Sequence, residues 1–358
     1  MRALKASFNC AAFTSNLARV KRYAPNSKVM AVLKANAYGH GLIEAARALN
    51  AAEGFSVLTL SEAIELREHG FTQYILLLEG FFEPYEVKVC SHMGIGAVIH
   101  HAEQINYINQ IKPAKPIDVH LKINTGMNRL GFMPNEVPNI LKELTESPYV
   151  GNIVMMTHFA DADGVKGVAS QLTCFNNLKE IDGYERSVAN SAAIIKYPET
   201  HFEWVRPGIM LYGASPFKDK TGKDFQLKSV MSLHSKIITT QILEKGQSVG
   251  YGSVFTAPNK MTVGIVACGY ADGYPRHAPS GTPVMVDGNV TETVGRVSMD
   301  MLYVDVSALP KVGLGSSVEL WGKDILVDEV ARQSHTVGYE LLCAISASSR
   351  VPLEYLNG

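Results

Sequence analysis

The apolar run Val29–Leu33 ends on Lys34, and the chain continues Ala-Asn-Ala-Tyr-Gly-His-Gly41. A lysine in that place is a cation for an anionic substrate, a Schiff-base amine, or a solvated charge after a core strand. Later apolar runs also end on polar groups: Asn124 with Arg129 shortly after, His158, Asn190-Ser191, and Arg206-Pro-Gly-Ile209. Polar groups at one end of several barrel strands converge in space. Ser191 offers a hydroxyl, and Gly208 and Ile209 offer backbone N–H groups, where barrels bind phosphate after their last strands. An amine suited to an imine, a phosphate-type site opposite it and no cluster of metal ligands together suggest pyridoxal phosphate.

Such residues need a frame that gathers strand ends. From about Lys28 to Tyr212 eight short apolar runs recur: Val29–Leu33, Phe55–Leu60, Tyr74–Leu78, Gly96–Ile99, Ile117–Ile123, Ile153–Thr157, Glu185–Ala189 and Trp204–Leu211. The stretches between them carry helical spacing. Ser61–Gly70, for example, is expected to start from a serine cap and stop at its glycine. Apolar runs separated by helices imply parallel strands buried on both faces. Eight such units match a (β/α)8 barrel, although counting alone does not exclude an open doubly wound sheet.

After about Lys228 the helical pattern fades into alternating runs such as Lys236–Ile242, Thr262–Ala267 and Met301–Val306. Asp287-Gly288 reads as a hairpin turn, and Leu314-Gly315 precedes the strand-like Ser317–Trp321. A helix near Asp328–Ser334 closes this region. The expected fold is α/β: an N-terminal (β/α)8 TIM-type barrel over residues 1–227, then a C-terminal mostly-β domain over 228–358. The seam falls in Pro216–Gln226.

Composition excludes several classes. Lys and Arg total 33 against 34 Asp and Glu, a net charge of -1, so no gross field favours nucleic acid or membrane. Five scattered cysteines, odd in number and without C-x-x-C spacing, fit free thiols in a reducing compartment. The first residues hold no signal-type apolar run, and nothing later approaches the ~20 apolar residues of a membrane span. A cytoplasmic protein is expected.

Ala31-Val-Leu-Lys-Ala-Asn-Ala-Tyr-Gly-His-Gly41 resembles the cofactor-lysine signature of the alanine racemases. The resemblance covers nearly the whole chain. It continues through Lys122–Gly131, Met156–Asp161, Ala189–Ser191, Trp204–Gly213, Val249–Gly252, Gly269–Tyr274 and Val294–Asp300. It implies a barrel bearing pyridoxal 5'-phosphate, a β domain into which about Ala3–Phe8 also pair, and a homodimer with active sites shared between chains. It further implies interconversion of L- and D-alanine through a cofactor-bound substrate by a two-base mechanism, feeding peptidoglycan synthesis or alanine catabolism.

By that resemblance Lys34 is the Schiff-base lysine and one of two acid/base groups. An ammonium with a pKa near 10 is a poor base at neutral pH, so its surroundings must favour the uncharged amine. Tyr251, flanked by Gly250 and Gly252, is the second base, reaching in from the partner subunit to the opposite face of the planar carbanion. A phenol lies about 4 kcal/mol from deprotonation at pH 7, and a cationic His158 supported by Arg206 is the expected remedy. Arg206 faces the cofactor's ring nitrogen. Guanidinium donates there without protonating, which weakens the electron sink and suppresses side reactions such as transamination.

Arg129 resembles the residue that meets the cofactor's phenolic oxygen and the substrate carboxylate. Lys122 matches a lysine often carbamylated in the family, giving an anion that holds that arginine. Tyr38, Ser191, Gly208, Ile209 and Tyr339 are the implied phosphate contacts, and Met299 meets the substrate carboxylate through its backbone. Tyr270 and Arg276 line the entry channel. Two departures stand out: Asn124 where many relatives carry an acid, and Ser298 where many carry cysteine.

Other classes fit less well. A serine or broad-range amino-acid racemase shares the motifs, but its periplasmic members carry a signal peptide. A non-enzymatic pyridoxal phosphate carrier lacks a C-terminal β domain and hence Tyr251. Arg206 argues against a decarboxylase, and a Schiff-base aldolase needs neither Arg206 nor a second domain.

Overall fold

The computed structural model describes residues 2–348 and 350–356. They form two compact units, one of Leu17–Ala37 and Ala45–Leu211, the other of Met1–Asn16, Tyr38–Glu44 and Tyr212–Gly358. The chain opens with β1 (Lys5–Asn9), which belongs to the second of these. The first unit carries β2 (Lys28–Val32), β3 (Gly54–Val57), β4 (Tyr74–Leu77), β5 (Ile95–Ile99), β6 (Ile117–Lys122), β7 (Val150–Met156), β8 (Glu185–Ser187) and β9 (Trp204–Val205).

These eight strands are parallel, and β9 pairs back onto β2, so they close a barrel. Met30, Leu76, Val98, Val154, Met156 and Trp204, from strands all around the ring, pack together as its filling. Every residue of β5 is buried, as parallel strands covered on both faces require. The doubly wound alternative is thereby excluded. The last run, Trp204–Leu211, is strand only over its first two residues. Pro207 breaks the pattern and Ile209–Tyr212 turns into a 3-10 helix.

Helices flank the strands, and their ends follow local chemistry. The helix Leu60–Glu68 is capped by Thr59 rather than the expected Ser61. Thr59 Oγ1 accepts from the N–H of Glu62 at 3.2 Å, and Glu62 reaches back to the N–H of Thr59. That reciprocal capping box is available only to a residue three before a glutamate, which Thr59 is and Ser61 is not. Gly70, at φ +82°, ends the segment as expected.

The second unit is mostly sheet. β10 (Met231–Leu243) precedes β11 (Ser248–Val249), β12 (Phe255–Thr256), β13 (Met261–Val266), β14 (Pro283–Val286), β15 (Asn289–Glu292), β16 (Leu302–Asp305), β17 (Ser317–Trp321) and β18 (Leu353–Leu356). The long β10 pairs antiparallel with β1, β13 and β17. β18 lies parallel to β1, so the two ends of the chain share one sheet. Asp287 and Gly288, both at positive φ, make the two-residue turn between β14 and β15.

The helix expected near Asp328–Ser334 is observed as Val327–Gln333, but it does not close the fold. A further helix, Gly338–Ala347, and β18 follow it. Among the described residues no helix is long and apolar enough to cross a membrane.

Candidate active site

The carboxyl ends of the barrel strands carry a concentration of basic side chains. Lys122 is the last residue of β6, Lys34 and His158 follow β2 and β7 by two residues, and Arg206 comes directly after β9. Lys122, Arg129 and His158 line one narrow cleft with Thr125 and Thr157.

Lys34 is presented by an unusual piece of backbone. Ala35, Asn36, Ala37 and Tyr38 all take φ between 50° and 56°, a left-handed helical turn without a glycine. Each L-residue costs about 1–2 kcal/mol in that region. Strain of this kind persists where the surroundings over-determine it, commonly at functional sites. Nothing in the residue types announces it, since only Asn36 tolerates the conformation well.

Arg206 is buried and held on several sides. Nη1 donates to Ser187 O at 2.5 Å and Ser187 Oγ at 2.7 Å, and Nη2 donates to Thr157 O at 2.8 Å. Nη2 also stands 3.4 Å from His158 Nδ1. The Nε–H has no acceptor among the described residues. Burial pulls the guanidinium down to about 9, which leaves it charged at neutral pH.

The neighbours respond to that charge. Desolvation, then Arg206, Arg129 and Lys34, hold the Lys122 ammonium well below the ordinary lysine range. The side chains of Lys122 and Arg129 make no hydrogen bond or ion pair with the described residues. His158 is likewise pushed well below its usual value by desolvation, then by Arg206, Lys122, Arg129 and Lys34. Both effects oppose a cationic His158 in the chain as it stands here. A second charge beside a buried guanidinium is what desolvation and repulsion both oppose, so the imidazole is neutral, its Nδ1 directed at Arg206.

Further groups complete this unit's site. Ser191 opens the short helix Ser191–Lys196, and its Oγ accepts from the N–H of Gly208 at 2.9 Å. Ile209 follows in a buried 3-10 turn. Asn124 Oδ1 accepts from the N–H groups of Gly126 and Asn128 and so shapes the turn that leads to Arg129. Thr157 and Ser187, which supply the acceptors for Arg206, were not singled out by sequence. Their signal was faint: each is a small polar residue ending or just following a buried strand.

The remaining candidates lie in the second unit. Tyr38 packs against Tyr212 at 4.6 Å and Tyr339 at 5.7 Å between ring centroids. Burial pushes the Tyr38 hydroxyl above its ordinary range, so it stays a donor. Tyr212 was another residue the sequence reading passed over. Tyr251 and Met299, 73% and 52% exposed, line one cavity of about 350 Å³ with Asp300 and Tyr303. Gly250 and Gly252, at φ 77° and 74°, set the turn that presents Tyr251 outward. Tyr270 N–H donates to Ser298 O, and the Arg276 guanidinium lies 5.9 Å from the Tyr270 ring, which joins the entry-channel candidates to the Met299 segment.

A closed parallel barrel with a lysine and basic side chains at its strand ends, followed along the chain by a mostly-β unit, defines a two-part α/β barrel class. The family of alanine racemase N-terminal domains matches residues 8–216, and that of the C-terminal domains matches residues 230–355. The chain is 52% identical over 348 residues to an alanine racemase of Nitrosospira multiformis, covering 96% of this chain and 98% of that one. It is 49% identical over 357 residues to a catabolic alanine racemase of Klebsiella aerogenes, covering 98% and 99%. The crystal structure of a biosynthetic alanine racemase from Pseudomonas aeruginosa superposes with a TM-score of 0.96 at 44% identity, over the whole of both chains. The chain belongs to the alanine racemase family.

Proposed function

We propose that this protein is a pyridoxal phosphate-dependent alanine racemase that interconverts L- and D-alanine as a cytoplasmic homodimer. One observation carries the reading: the buried Arg206 guanidinium has an Nε–H without an acceptor among the described residues, while Lys34 and Arg129 add positive charge to the same strand ends. That donor set suits an anionic ligand with a ring nitrogen that accepts a hydrogen bond. Ser191 and the N–H groups near Gly208 suit its phosphate, with Tyr38 and Tyr339 adding hydroxyls. The relatives named catabolic and biosynthetic are similar to this chain to nearly the same degree, so the proposal concerns the reaction and leaves its direction aside.

When bound, pyridoxal phosphate supplies a conjugated ring that takes up the electron pair left at the substrate α-carbon. Arg206 would hold the ring nitrogen by donating a hydrogen bond without giving up its proton, which would restrain that sink. Lys34 would hold the cofactor and would move a proton at the substrate α-carbon on one face. Tyr251 of the partner subunit moves the proton on the other face. Arg129 and the backbone at Met299 orient the substrate carboxylate, and Tyr270 and Arg276 guard the entrance.

Lys122 is proposed to be carbamylated. Its uncharged amine adds to carbon dioxide, forming an N–C bond and releasing one proton, and the resulting anion sits against Arg129. The cations that face Lys122, namely Arg206, Arg129 and Lys34, support this reading, since an anion among them relieves the repulsion.

Proton NMR of the cofactor-loaded protein with L-alanine in D2O tests the function. Loss of the Cα proton together with the appearance of D-alanine in a chiral assay is expected. Exchange without D-alanine would leave a single working base. Absence of exchange in protein that holds the cofactor would favour a carrier instead.

A further inference from the structure

Met299 has its carbonyl tied down and its N–H open. The carbonyl accepts from the Ala271 N–H at 3.0 Å, and the neighbouring Ser298 carbonyl accepts from the Tyr270 N–H at 3.1 Å. The Met299 N–H has no acceptor among the described residues. The two segments lie against each other so closely that a Cβ on Gly269 would fall 2.3 Å from the Met299 oxygen. Only glycine allows that approach.

Charges drawn from both ends of the chain hold this pair of segments. β1 begins at Lys5 and β18 at Leu353, and they run parallel with Ala6 opposite Leu353. The residues just before each strand therefore emerge at the same end of the sheet. Arg2 precedes β1 and Arg350 precedes β18, each by three residues. Arg2 Nη1 pairs with Asp272 Oδ1, and its Nη2 donates to the Asp300 carbonyl at 2.5 Å. Arg350 Nη2 donates to Asp300 Oδ1 at 2.5 Å, and its Nε stands 3.5 Å from the same Asp272 oxygen.

Asp272 is fully buried, and its other oxygen accepts from the Gly269 N–H at 2.9 Å. Ser348 Oγ donates to the Ala271 carbonyl at 3.1 Å, so the segment before β18 grips the turn a second time. A buried carboxylate persists only when it is paired and hydrogen-bonded. Each arginine meets that need and also reaches Asp300, the residue after Met299. The planar guanidinium fork spans two acceptors at a fixed spacing, which an ammonium cannot do.

We infer that Arg2 and Arg350 are positioning residues of the racemase site: by bridging Asp272 and Asp300 they hold the Met299 N–H in place for the substrate carboxylate. The inference rests on the function proposed above, in which the Met299 backbone meets that carboxylate. A contact made equally to bound substrate and to the transition state moves KM and leaves kcat alone. A loss of stability lowers the active fraction, and so kcat, without touching KM.

The test uses the cofactor-loaded protein, with alanine as substrate and propionate, which is alanine without its amino group, as a probe of carboxylate binding. Arg2→Ala and Arg350→Ala each leave Asp272 one arginine, so both should fold. Each should raise the KM for alanine and the calorimetric Kd for propionate together by about fivefold, with kcat kept within about twofold. Arg2→Lys keeps the charge without the fork, so both constants should stay raised. Hydrogen–deuterium exchange should show the Tyr270 and Ala271 amides losing protection in all three variants. Wild-type KM and Kd in the alanine variants, or full recovery in Arg2→Lys, would overturn this inference alone. A wild-type protein that neither racemises alanine nor binds propionate would overturn the proposed function and this inference with it.

Discussion

Arg206 Nη2 and His158 Nδ1 lie 3.4 Å apart, a permanent cation beside an imidazole that it helps to keep uncharged. The pair fixes the local direction of charge: the guanidinium gives hydrogen bonds and the ring receives them. Any account in which His158 works as a resident cation has to overcome that arrangement.

The hold on Arg206 predicts a stability phenotype as well as a catalytic one. Arg206→Lys keeps the charge but cannot reach Ser187 and Thr157 together, so either Ser187 Oγ or the Thr157 carbonyl loses the donor that Arg206 supplies. A loss of about 3 kcal/mol in unfolding free energy is expected, with racemisation falling in parallel. Urea unfolding of the cofactor-free protein would read the first and a chiral assay the second. Wild-type stability in the variant would mean these hydrogen bonds hold little.

Tyr251 separates function from folding. Because it is exposed, Tyr251→Phe should change stability by less than about 0.5 kcal/mol. Loss of a positioned acid/base should slow abstraction from L-alanine by about 10²–10⁴-fold. Mixing Tyr251→Phe with Lys34→Ala chains tests action across subunits. Random reassociation gives half heterodimers with one intact site in two, so about a quarter of wild-type activity should return if the dimer is symmetric. No recovery would place Tyr251 in the same chain's site or outside the mechanism.

Lys122 should bear a carbamate that responds to carbon dioxide. Protein prepared with 13C-bicarbonate should show one carbamate carbon signal, absent from Lys122→Gln. Removing carbon dioxide should raise the KM for alanine several-fold by freeing Arg129, with a smaller change in kcat. A native mass without the added carbon dioxide, together with an unaltered KM, would return Lys122 to an ordinary neutral amine.

Asp328 links the second unit to pH. Its carboxylate accepts from the N–H groups of Ser215 and Gly222, yet burial outweighs them and pushes it up to about 6. The folded chain therefore holds this proton more tightly than the unfolded chain, where an aspartate titrates near ~3.9. Its contribution to stability is fully present below about pH 4 and is lost as pH rises through about 6, roughly 3 kcal/mol in all. Subtracting the unfolding free energy of Asp328→Asn from that of the wild type at each pH isolates this dependence. A difference that stays flat from pH 4 to 7 would rule the linkage out.

Much of the fold was legible because parallel strands covered on both faces leave continuous apolar runs in the chain. Ile95–Ile99 and Tyr74–Leu77 could be read that way almost to the residue. Helix Gly338–Ala347 and β18 could not. β18 pairs with β1 from the opposite end of the chain, a non-local partnership that local pattern does not encode. The helix start at Thr59 was misplaced because a serine two residues on looked like an adequate cap until Glu62 was seen to complete the box.

For the site, residue types and order pointed to Lys34, Arg129, His158, Ser191 and Arg206, because chemistry at strand ends repeats along the chain, whereas Tyr251 came only from the family resemblance. Charge state was another matter. Whether His158 carries a proton depends on desolvation and on four cations delivered by β2, β6, β9 and the turn after β6. The left-handed turn beyond Lys34 and the burial of His120 inside the barrel arise the same way. Energies summed over groups that meet only on folding are not contained in any stretch of sequence.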